Sequence, residues 1–179
     1  MKRLANYDRS QAVRLLEARL ASERAGMKLY ERVLGAMRAS GDAQVRALLD
    51  EMEADRDLEA EHVAWLEEQL RAVRSNADAG GAGDAGGAAA RHVERVAQSN
   101  AELPQLVNAL LAAKLADDAG WDGLVQLAHE AGDREARREL RRRLHEEEDL
   151  LLVIRQLMEK LVFTEVLAED AASAPGPAR

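Results

Sequence analysis

The chain has no cysteine, which excludes disulfides, thiolate nucleophiles, iron-sulfur clusters and zinc-thiolate sites, so any metal would have to be held by carboxylates and histidines. Aromatic residues make up only 3% of the 179 positions and proline only three of them, so strand-favouring and helix-breaking residues are both scarce. No apolar run approaches the roughly 18 to 20 residues of a membrane span, and residues 1–9 lack the apolar centre of a secretory signal. The expected setting is therefore the cytoplasm, with no membrane partner. Positive charge is not in excess either. The formal net charge is -8, which argues against a nucleic-acid partner, although Arg141, Arg142 and Arg143 form a local basic run on a solvated helix face.

What remains is rich in alanine, leucine, glutamate and arginine, with 47% hydrophobic and 32% charged residues, and this predicts an all-α domain around a single core. From residue 10 to about 38, Val13, Leu16, Leu20, Glu23, Met27, Tyr30, Leu34 and Met37 recur at spacings of three and four, the seam of a packed helix. Ser40-Gly41-Asp42 supplies a helix stop and an N-cap for a second helix running to about residue 74. The Gly-rich stretch 75–90 reads as a flexible crossover with little capacity for helix, followed by a short helix over about 91–98. Ser99 and Glu102 form a capping box for a long third helix to about residue 130, with Pro104 tolerated in its first turn. Gly132-Asp133 opens a last helix to about residue 168, and residues 169–179 read as a disordered tail. Residues 1–168 thus form one domain of two antiparallel helical hairpins.

The seams are interrupted near their midpoints. Along LEAEHVAWLEEQL, residues 58–70, Glu59 and His62 occupy positions where the spacing calls for buried side chains. Glu23 lies 18 positions before Gly41 and Glu59 lies 18 after it, so an antiparallel hairpin brings both to one height. In the second hairpin Asp117 precedes Gly132 by 15 positions, while Glu146 and Asp149 follow it by 14 and 17. Carboxylates on all four helices make a layer that repels itself unless cations or protons occupy it, and a pair of metal ions would serve.

With these residues the chain resembles the ferritin-like superfamily, in particular its rubrerythrin-like di-iron carboxylate members, whose four-helix bundle carries Glu, Glu-x-x-His, Glu, Glu-x-x-His on successive helices. The resemblance covers residues 10–168. It implies metal ligation by Glu23, by Glu59 and His62 as the first Glu-x-x-His, and by Asp117 as a shorter carboxylate on the third helix. Glu146 and Asp149 stand where the second Glu-x-x-His belongs, with Asp149 in the place of the histidine. A competing seam through Leu144, Glu147, Leu151, Ile154 and Met158 would point Glu147 inward instead; the i, i+3 spacing favours Glu146 and Asp149. Iron or manganese suits such oxygen and nitrogen donors. The implied activity is iron handling or reduction of oxygen or peroxide, in a homodimer served by a separate redox partner.

The alternative is a ferritin-like bundle that has lost its metals and acts as a structural or protein-interaction module, its acidic layer held by protons and by arginines such as Arg24 or Arg143. Tyr30 is either core or a neighbour that hydrogen-bonds a ligand, and Asp55 is an outer acceptor or a solvated edge residue. Met27, Met52, Trp65 and Trp121 read as core. His92, His129 and His145 read as surface residues. Gly26 and Gly120, each three residues after an inward acid, would allow close helix approach.

Overall fold

The computed structural model describes Arg3, residues 8–75 and residues 88–173, with 88–89 and 163–173 described by their backbone alone. Within them the chain is all-helical, without a strand: α1 (Arg9–Ala39), α2 (Ala43–Arg46), α3 (Leu49–Ser75), α4 (Ala88–Ala97), α5 (Leu103–Glu130) and α6 (Arg134–Ser173). Asp8 caps α1 by accepting from the Gln11 amide at 2.9 Å. Asp42 likewise accepts from the Gln44 amide at 2.7 Å. The helix it opens is not the single one expected. The Leu48 amide bonds back to Val45 rather than to residue 44, tightening the chain so that Val45 and Leu48 both face the core.

The second glycine turn follows the expected logic and the first does not. Gly132 adopts φ 63°, its amide bonds to the His129 carbonyl and the Asp133 amide to that of Ala128, a Schellman-type stop. Gly41 is not left-handed; α1 stops at an extended Ser40. The cap of α5 is also shifted, since Glu102 and Gln105 form the reciprocal box. Ser99 turns back to the Val96 carbonyl at 2.7 Å and closes α4. Helix α4 starts at Ala88, earlier than expected, because its three alanines favour helix and bury Ala90. Residues 76–87 of the expected crossover and 174–179 of the expected tail lie outside the described residues, while 169–173 continue α6.

Helix α1 packs on α3 and α5, and α6 packs on α5 and α3, so each long helix has two long neighbours. One apolar cluster joins the second half of α1, α2, the start of α3, α4, the start of α5 and residues 154–161 of α6. A second joins the first half of α1, the end of α3, the end of α5 and the start of α6. Helices α1 and α6 therefore run one way and α3 and α5 the other. Each neighbouring pair is antiparallel, and the chain returns along the bundle between α3 and α5. A charged layer lies between the two clusters. Among the described residues no helix is long and apolar enough to cross a membrane.

Candidate functional site

Each long helix sends polar side chains into this layer from its buried seam. Helix α1 contributes Arg19 and Glu23, α3 contributes Glu59 and His62, α5 contributes Lys114, Asp117 and Trp121, and α6 contributes Glu147. Separations of three, four and seven residues put each set on one helix face. All eight are under 5% exposed.

Lys114 is the hub. Its Nζ lies 2.5 Å from Glu59 Oε1, 2.6 Å from Glu147 Oε2, 3.2 Å from Asp117 Oδ2 and 3.5 Å from Glu23 Oε2. An ammonium has three hydrogens and faces four carboxylates here, so they share it as a point charge rather than in matched hydrogen bonds. Arg19 is the second internal cation. Its guanidinium donates to the Asp117 carbonyl at 2.9 Å and to the Asp117 carboxylate, and its Nε lies 3.1 Å from Glu23 Oε1. Ser22 adds a 2.5 Å hydrogen bond to Asp117. Trp121 spans the layer, its indole N–H donating to Glu23 at 2.9 Å and to Glu147 at 3.1 Å. The His62 ring meets Trp121 edge-on, and Arg19 lies over the Trp121 face.

Burial pushes Glu23, Glu59 and Glu147 upward, and the nearby cations oppose it. For Glu23, Lys114 and then Arg19 more than offset burial and hold its carboxyl below the ordinary range. For Glu147, Lys114 and the His62 hydrogen bond do the same. Glu59 goes the other way: burial and then the neighbouring Glu23 raise it well above its ordinary value. Lys114 loses to burial but gains more from Glu23, Glu59, Asp117 and Glu147, and stays firmly protonated. Both His62 nitrogens face carboxylates, Nδ1 at 3.1 Å from Glu147 and Nε2 at 2.9 Å from Glu146.

Of the residues expected from sequence, Glu23, Glu59, His62 and Asp117 converge in the layer. Glu146 reaches it only at its edge, through His62 and a pair with Arg142. Asp149 is exposed and does not join it. The inward position on α6 belongs to Glu147, because the buried seam of that helix runs through Ala136, Leu140, Arg143, Glu147, Leu150 and Ile154, which turns Asp149 to solvent. The arginines expected to neutralise the layer do not. Arg24 pairs with Glu67 at the surface, and Arg143 stacks 4.3 Å over the Trp65 ring and pairs with Glu139. Lys114 and Arg19 take that role. Both keep the three-four spacing of their seams, in Leu110, Lys114, Asp117, Trp121, Leu124 and in Leu16, Arg19, Glu23, but each has an apolar neighbour, Ala113 or Leu20, that fits the same helix face and masks the cation.

Asp118, beside the inward Asp117, is half-buried and outside the cluster. The Tyr30 hydroxyl is buried without a hydrogen-bond partner. Gly120 has a specific reason to be glycine, since a Cβ there would lie 2.6 Å from the Arg19 guanidinium; a Cβ at Gly26 would meet nothing closer than 4.0 Å.

Comparison of the chain with protein-family models, with curated proteins and with solved structures found no match.

Glu23, Glu59, His62 and Glu147 each offer one donor atom, all within 4.8 Å of one another, and oxygen and nitrogen donors of this kind suit iron(II) or manganese(II). The ammonium of Lys114 stands within 3.5 Å of the carboxylates of three of them, Glu23, Glu59 and Glu147. A divalent ion beside it would meet a repulsion on the order of several kcal/mol at the effective dielectric of a protein interior. With Lys114 in this position, the residues do not fit a metal.

Proposed function

We propose that the chain is a ferritin-like four-helix bundle whose central layer is neutralised by its own cations, and that it serves as a structural or protein-interaction module rather than as a metal-dependent oxidoreductase. The observation that carries this reading is the Lys114 ammonium held 2.5 to 3.5 Å from four buried carboxylates, three of which belong to the group that could otherwise hold a metal. The ferritin-like assignment draws support from the antiparallel pairing of α1 with α3 and of α5 with α6, and from the chain's return along the bundle between the two pairs. The resemblance implies a homodimer, and sedimentation at micromolar concentration checks it. Elemental analysis of protein from cells supplied with iron and manganese, with anaerobic calorimetric titration of both ions, tests the reading. It expects substoichiometric metal and no saturable heat; saturable binding of either ion overturns it.

A second reading is favoured by the convergence of Glu23, Glu59, His62 and Glu147. In it these residues hold iron or manganese after Lys114 has turned away, and the metal supplies the capacity to handle iron or to reduce oxygen or peroxide.

A further inference from the structure

We infer that Lys114 alone excludes metal from an otherwise complete site, so that shortening this one side chain converts the layer into a site for a single divalent cation bound by Glu23, Glu59, His62 and Glu147. The inference rests on the metal-free reading above and goes beyond it by naming the residue that enforces it, the donors that would remain and the stoichiometry.

Three observations carry it. First, the donors are already gathered without a metal, their ligand atoms within 4.8 Å of one another on helices anchored by apolar packing on both sides of the layer. Second, Glu59 Oε2 is fully buried without a hydrogen-bond partner, and Oε2 of Glu23 and of Glu147 face the Lys114 ammonium at 3.5 and 2.6 Å, so removing that side chain leaves all three as acceptors in the layer that a metal could use. Third, the second internal cation shares Asp117 and Glu23 with Lys114 but has an anchor of its own in the Asp117 carbonyl. Arg19 is anchored on Asp117 by carbonyl and carboxylate together and lies against Gly120. Removing Lys114 leaves that guanidinium in place, holding Asp117 and the space of a second ion, and so the stoichiometry is one.

The decisive comparison is wild type, Lys114→Ala and Lys114→Ala/His62→Ala, each freed of metal and titrated with manganese(II) and cobalt(II), followed by calorimetry, thermal melting and the visible spectrum of the cobalt form. Wild type is expected to bind neither ion saturably. Lys114→Ala is expected to take up one ion per chain, to gain melting temperature with metal concentration, and to give a cobalt spectrum that changes when His62 is also removed. Should Lys114→Ala fold only when metal is present during refolding, that dependence supports the inference. Should it fail to fold under both conditions, Lys114→Gln, whose amide still donates to the carboxylates, carries the same titration and is expected to bind one ion more weakly. A folded Lys114→Ala or Lys114→Gln without saturable binding, or with two ions per chain, overturns the inference and leaves the metal-free reading standing. Saturable binding by wild type overturns both.

Discussion

Lys114 and Glu59 touch at 2.5 Å, yet removing their charges should have opposite weight. Lys114 is the counter-charge for Glu23, Asp117 and Glu147, so Lys114→Met leaves buried carboxylates uncompensated and is expected to destabilise by about 3 to 5 kcal/mol. Burial and Glu23 shift Glu59 toward its neutral form, so Glu59→Gln, which mimics that form, should change stability by no more than about 1 kcal/mol. Urea denaturation of the two variants checks this, and an equal loss for both would contradict the upward shift of Glu59. Asp55 gives the pH signature. Burial, then Glu51, lift it from 3.8 to about 7. Below the unfolded value both states are protonated and Asp55 has no effect; as pH rises from about 4 to 7 the unfolded chain ionises first, so stability is lost, and above 7 the loss is complete. Discounted for partial exposure, Asp55→Asn should raise stability by on the order of 1 kcal/mol at pH 8 and leave it unchanged near pH 4. Thermal melts at the two pH values decide it; an equal gain at both would contradict the shift. Which acids lie inside was largely readable from spacing, since Glu23, Glu59 and Asp117 are where the seams put them. Their protonation was not, because it depends on Lys114 and Arg19 arriving from other helices.

The helices were legible to within a few residues wherever the seam was strong, as in α1 and α5, and less so where short-range bonds compete. Glu102 pairs with Gln105 rather than with Ser99, and the turn at Ala47 and Leu48 divides what reads as one helix. On α6 the sequence EEED offers three phases, and the helix settles in the one that puts Glu147 inward because Leu140, Leu150 and Ile154 must also be buried. A spacing borrowed from the Glu-x-x-His pattern has no term for that neighbouring packing. The contact between α1 and α5 gives a test at this scale. Gly120→Ala would place a Cβ 2.6 Å from Arg19, whose guanidinium cannot yield without releasing Asp117, and a loss of about 1 to 3 kcal/mol is expected. Gly26→Ala would bring its Cβ no closer than 4.0 Å to Asp117, an unstrained contact, and should instead gain about 0.5 to 1 kcal/mol of helix propensity. Chemical denaturation of both variants would contradict the account if Gly120→Ala were the milder.

At the scale of the molecule, two apolar clusters flank one charged layer, and each long helix crosses all three. The acids of that layer cannot be solvated, and any fold that gathers them must also bring their counter-charge. Sequence spacing exposes this requirement but does not say whether metal, proton or side chain meets it. Here Lys114 and Arg19 meet it from within the chain. The most direct measurement is crystallographic: crystals of wild-type protein produced with iron and manganese in excess, with anomalous data collected at both absorption edges. The account predicts the Lys114 ammonium among Glu23, Glu59, Asp117 and Glu147, with no anomalous density in the layer. An anomalous peak bounded by Glu23, Glu59, His62 and Glu147, with Lys114 turned out of the layer, would contradict it.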